Sequence, residues 1–108
     1  MTTYARLIEM GKDLSSRDRA RQLREAFLRE VGANPGVLTF DFDGVRTLSD
    51  SFADELIAVL VQDRGEAWFR EHVRLVNLSP SHRLIVLSAI EARLVRARLP
   101  FARATAPA

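Results

Sequence analysis

Residues Val37–Val61 read VLTFDFDGVRTLSDSFADELIAVLV, and the fold turns on how that run divides. Val37, Leu38, Phe40 and Phe42 are apolar, with Thr39 and Asp41 set between some of them, which predicts a strand. Asp43-Gly44 is a turn signal inside a loop that runs to Leu48. Ser49-Asp50-Ser51 then precedes Phe52, Ala53, Leu56, Ile57 and Leu60, which are spaced as one face of a helix over Ser51–Val61. Asp54 and Glu55 fall in its first turn, where acids complement the macrodipole. Gln62-Asp63-Arg64-Gly65 closes it. Ser51 with Asp54 three residues on resembles a capping box, and Ser49 or Asp50 would cap equally well. Strand, loop and helix thus meet at a cluster of small polar residues, where functional groups are expected.

The flanking chain repeats the alternation. Tyr4–Met10 (YARLIEM) predicts a strand and Gly11-Lys12-Asp13 a turn. Ser15 or Ser16 caps a helix whose apolar positions are Ala20, Leu23, Ala26, Phe27 and Val31, with Leu28 beside them. Arg21–Glu25 and Glu25–Arg29 are placed to pair on its surface. Gly32 and Pro35-Gly36 end it. Downstream, Glu66–His72 is expected to add a short helix carrying Trp68 and Phe69 as core or as a lid over it. Val73–Asn77 reads as a strand, and Ser79 or Ser81 starts a last helix running to about Arg98, with Pro100 as its stop. Leu84–Leu87 reads as apolar on all sides of that helix. His72 and His82 are expected at the surface or in caps. The order β-α-β-α-β-α predicts an α/β domain over residues 1–100, with helices packed on a small, largely parallel or mixed sheet. Residues 101–108 form a short tail expected to fray. So small a sheet has edges that a partner or a second copy could cover.

Composition narrows the chemistry. The 108 residues are enough for one small domain, and 47% of them are hydrophobic. The absence of cysteine excludes disulfides, thiolate metal sites and cysteine nucleophiles. Two histidines are too few for a histidine-rich metal site. The 16 basic residues against 14 acidic ones leave a formal charge of +2. The pI near 9.9 reflects arginines, Lys12 being the sole lysine. That argues against general nucleic-acid binding, although Arg93, Arg96 and Arg98 in the last helix form a local basic group. The run has neither a secretory pattern nor a membrane-length apolar stretch, so a soluble cytoplasmic protein is expected.

Two resemblances bear on the central junction. VLTFDFDGV (Val37–Val45) resembles the first motif of haloacid dehalogenase-type phosphohydrolases. That resemblance would make Asp41 a nucleophile and Asp43 a general acid/base beside Mg²⁺. The chemistry also needs later cationic and acidic groups, and downstream of Asp63 the acids are Glu66, Glu71 and Glu91 alone. The second resemblance covers about residues 4–98. Gly44-Val45-Arg46-Thr47-Leu48 followed by Ser49-Asp50-Ser51-Phe52 resembles the core of STAS domains, the sulphate-transporter and anti-sigma-factor-antagonist family. FDGVRTLSDSFADEL (Phe42–Leu56) looks more specifically like the STAS-like group of bacterial proteins labelled DUF4325. Ser15-Ser16-Arg17 and Asn77-Leu78-Ser79 fit as well.

The resemblance implies a non-catalytic regulatory or interaction domain with no cofactor and no metal. It implies a protein partner, a GHKL-type ATPase or a co-encoded regulator, and a serine switch at Ser51. The implied contact surface is Thr47, Ser49, Asp50, Ser51, Asp54 and Glu55, with the exposed face of the second helix. Dimerisation is left open. Phe52 departs from the pattern, in which a small residue follows the serine, and is expected either to pack inward or to block a partner's approach. Asp50, Asp54 and Glu55 are expected to surround Ser51 with negative charge that opposes a phosphate.

Overall fold

The computed structural model describes residues 2–33 and 36–98. Strand β1 spans Thr2–Arg6, β3 Val37–Asp41 and β5 Val73–Val76. They form one sheet in the order β1-β3-β5, with both pairings parallel. Leu38 and Phe40 of the central strand are wholly buried on one face, and Thr39 and Asp41 are buried on the other, as expected of a parallel strand covered on both faces. The predicted alternation of strands and helices is what the structure contains.

Helix α1, Arg17–Ala33, runs through Gly32 rather than ending at it. Ser16 caps it, its Oγ accepting the Arg19 N–H at 3.2 Å. Arg21 pairs with Asp18 at 2.7 Å, one turn back, instead of with Glu25. The first strand lies earlier than the apolar pattern of Tyr4–Met10 suggests, because Leu7–Met10 tightens into a 3-10 turn. That turn drives Leu7 into the core.

The expected 43–48 loop contains a strand. Thr47–Leu48 (β4) pairs in parallel with Asp13–Leu14 (β2). The Lys12 carbonyl accepts the N–H groups of Arg46 and Thr47 at 2.8 and 3.1 Å. The turn before it is as expected. The Val45 N–H donates to the Phe42 carbonyl at 3.0 Å, and Gly44 takes φ +84°, a value that favours glycine.

The second helix begins as α2, Asp50–Ala53, widens through a π-helical turn at Asp54–Ala58, and continues as α3, Val59–Arg64. Within it the Val59 N–H donates to the Asp54 carbonyl, five residues back. Phe52, Ala53 and every residue from Leu56 to Val61 are buried. Between Ser51 and Val61 the anticipated exposed face on this helix is therefore missing, and only its ends, at Asp50 and at Gln62 to Arg64, are exposed. It lies between α1 and the last helix, α5 (Pro80–Arg98), both of which contact the π turn. Six successive apolar residues suit a helix covered all round.

A short helix α4, Glu66–His72, leads into β5. Trp68 and Phe69 lie half-buried against the core. The Arg64 guanidinium sits 5.2 Å above the Trp68 ring. Ser79 caps α5, accepting the His82 N–H at 3.1 Å. His82 is buried rather than superficial, and its Nε2–H donates to the Arg46 carbonyl at 3.1 Å, which ties α5 to the β4 loop. Val86 is buried, whereas Leu84 and Leu87 are 65% and 54% exposed. The Leu84–Leu87 run is thus two-faced. The predicted stops at Pro35 and Pro100, the 101–108 tail, and the side chains of Val31 and Arg98 lie outside the described residues.

Candidate functional site

The start of α2 is built by its serines. Ser49 is extended, at φ −79° and ψ 158°, and its Oγ accepts the Phe52 N–H at 3.0 Å. Its hydroxyl also donates to the Ser15 carbonyl at 3.3 Å, and its N–H donates to the Leu14 carbonyl at 2.9 Å. The cap is therefore Ser49, fixed from two sides. Phe52 turns inward and is 1% exposed. Ser51 follows the cap by two residues and is half-buried. Among the described residues its hydroxyl has no hydrogen-bond partner.

Ser51 opens onto a groove of roughly 520 Å³ between the starts of α1 and α2 and one side of α5. Arg17, Asp54, Arg93 and Arg96 line it, with Asp50 and Ser88. Of the predicted contact residues, Asp50, Ser51 and Asp54 face this groove. Thr47, Ser49 and Glu55 do not. Thr47 is exposed on β4. There it adjoins Asp13, whose carboxyl is held below its ordinary range by Arg46 and then by Thr47.

Two of the three acids near Ser51, Asp54 and Glu55, are paired with arginines, while Asp50 is exposed. Asp54 receives Arg93 Nε and Nη2 at 2.7 and 2.8 Å and Arg17 Nη1 at 2.8 Å. Arg93 above all, with Arg17, lowers its pKa to about 2 against the cost of burial. Glu55 accepts Arg17 at 2.8 Å and Arg24 at 2.7 Å. Burial opposes its charge, but the two guanidiniums outweigh it and hold the carboxyl below its ordinary range. Arg24 also donates to the Glu55 backbone carbonyl within the π turn. Three guanidiniums, those of Arg17, Arg93 and Arg96, thus line the groove beside Ser51 with the carboxylates of Asp50 and Asp54, and the charges of Asp54 and Glu55 are paired with arginines. Arg17, Arg24 and Ser88 were not identified as site residues from sequence. The available signal was a pair of acids on a helix otherwise rich in apolar residues, since buried carboxylates require partners. Which arginines would serve is a tertiary fact.

Asp41 and Asp43 form a separate place. Asp41 is buried at the end of β3. Its Oδ2 accepts the Tyr4 hydroxyl at 2.6 Å, and its Oδ1 accepts Asn77 Nδ2 at 2.8 Å and the Asp43 N–H at 2.9 Å. The Tyr4 hydroxyl first, then Asn77 and the Asp43 N–H, lower the Asp41 pKa. The same bond raises that of Tyr4. Asn77 sits at φ 60°, a left-handed conformation that asparagine tolerates. Asp43 points to solvent. Among the described residues no three histidine, aspartate or glutamate side chains converge as metal ligands. Nor is any helix there long and apolar enough to cross a membrane.

Comparison with known proteins adds one match. The family model of the STAS-like domain of unknown function (DUF4325) matches residues 19–83. That stretch includes most of α1, the central strand, the capped helix start and the beginning of α5. No curated protein and no solved structure matches the chain.

Proposed function

The chain belongs to the STAS-like family DUF4325, and from that membership together with the geometry at α2 we propose that it is a non-catalytic regulatory or protein-interaction module. One observation carries this reading. The helix is capped by Ser49, so the neighbouring Ser51 hydroxyl is spared from structural duty and faces an open groove. In the finer form of the proposal Ser51 is phosphorylated by a GHKL-type ATPase partner or is contacted by a co-encoded regulator. The contact surface then comprises Asp50 and Ser51 with the Ser88, Ala92 and Arg96 side of α5, all of which line that groove. It replaces the second-helix face, which burial removes.

The experiment is affinity purification of the full tagged chain from its native host, read by mass spectrometry for partners and for a Ser51 phosphopeptide. Ser51→Ala is expected to retain the partner and Ser51→Asp to release it. Recovery of neither a reproducible partner nor a modified Ser51 would remove the basis of the proposal.

A further inference from the structure

The groove beside Ser51 is lined by three guanidiniums, Arg17, Arg93 and Arg96, and two carboxylates, Asp54 and the exposed Asp50. Arg17 engages Asp54 and Glu55 through Nη1 alone, although a guanidinium carries five N–H donors. Arg96 lines the groove and is exposed, and among the described residues it has no hydrogen bond or ion pair. Ser51 and Asp54 are three residues apart at the start of one helix, so their side chains share a face. Both line the groove with Arg17 and Arg93. A phosphoryl group on Ser51 Oγ would therefore enter the field that now holds Asp54. It carries about −1.5 to −2 charge at neutral pH, against the single charge of Asp54, and it offers the three oxygens that arginine pairs with in bidentate fashion.

We propose that this groove is a phosphoryl-binding site whose ligand is a phosphate on Ser51 of the same chain, and that the dianion draws Arg93 and Arg17 from Asp54. The transfer itself uses a nucleoside triphosphate. The Ser51 Oγ–P bond forms, the bond from the γ-phosphorus to the bridging oxygen breaks, the nucleoside diphosphate leaves, and the hydroxyl proton passes to a base. The consequence is structural. Asp54 is the point at which Arg17 of α1 and Arg93 of α5 meet, so phosphorylation loosens the join between three helices and changes the α5 surface. The inference rests on Ser51 as the modified residue and is independent of which kinase acts.

The test is the full chain carrying genetically encoded phosphoserine at position 51, titrated by ³¹P NMR. The second phosphate pKa is expected to fall by roughly one unit or more below the value near 6 of free phosphoserine. Arg96→Gln, which removes an exposed side chain with no partner in the fold, is expected to return part of that shift. Amide exchange along α5 is expected to quicken on phosphorylation. A phosphate pKa at or above the free value, or one indifferent to Arg96→Gln, would overturn the proposal. The regulatory reading fails separately. A host protein never modified at Ser51 would sink that reading even if the installed phosphate were held by the arginines.

Discussion

Ser49 and Ser51 differ in what their hydroxyls do, and that difference is measurable. Ser49 Oγ satisfies one otherwise unpaired N–H, that of Phe52, so Ser49→Ala is expected to lower unfolding stability by about 1 kcal/mol. Ser51→Ala removes no hydrogen bond and is expected to change stability by less than about 0.5 kcal/mol. Urea unfolding of the two variants separates them, and equal losses would contradict the capping assignment. Asp54 makes a second residue-level case, now in pH. Its folded pKa of about 2 lies below the ordinary 3.8, so the folded state binds the proton less readily than the unfolded chain. The resulting stability is fully present above about 3.8 and is lost as pH falls towards about 2. Because Asp54 is partly solvated, its share is smaller than the full shift implies. The urea midpoint of wild type is expected to drop across that window more steeply than that of Asp54→Asn.

At the scale of elements, the β-α-β alternation was legible because apolar periodicity survives in a single sequence. Phe40 and Leu38 on β3, and Ala20 and Phe27 on α1, are buried as their spacing implies. The two-residue strands β2 and β4 were not legible, since two residues carry no period and their pairing is set by the Lys12 carbonyl. The sequence does mark the central helix, in its longest apolar run. Leu56–Val61 is the longest apolar run within a helix and marks a segment with no free side. The Leu84–Leu87 run looked equivalent yet leaves Leu84 and Leu87 in solvent. The π turn has no periodic signature, and neither do the guanidiniums that reach it from two other helices. Enclosure of this helix has a direct consequence. Ala58, buried completely within the π turn, has no room to grow, so Ala58→Leu is expected to cost about 1–3 kcal/mol by overpacking. Gly44→Ala is expected to cost about 1–2 kcal/mol, because φ is +84° and the added Cβ would lie 3.3 Å from the Ile8 side chain. Thermal unfolding reads both.

For the whole molecule, the carboxyl end of the sheet is where phosphohydrolase chemistry would sit, and Asp41 is the residue on which that alternative is tested. A nucleophilic carboxylate must present an oxygen to phosphorus with cations close by. Here both Asp41 oxygens turn to the protein's own donors, and each donor comes from a different segment. Tyr4 belongs to β1, Asp43 to the loop after β3, and Asn77 to the residue after β5. The side chain ties the end of β3 to the middle of β1 and to the residue after β5, as an organising group would, and it is legible from sequence only as an aspartate in an apolar strand. Removing its charge should therefore act on folding and not on turnover. Asp41→Asn replaces one accepting oxygen with an N–H donor, so the short charge-assisted bond from the Tyr4 hydroxyl is lost or reverses direction as a weaker neutral one. Its thermal midpoint is expected to fall, with the loss centred on β1 and on the Asn77 turn in amide exchange. Wild type and variant alike are expected to show no hydrolysis of phosphate monoesters with Mg²⁺. Turnover by the wild type that disappears in Asp41→Asn, with exchange unchanged at β1, would transfer the active role from the α2 groove to the end of the sheet.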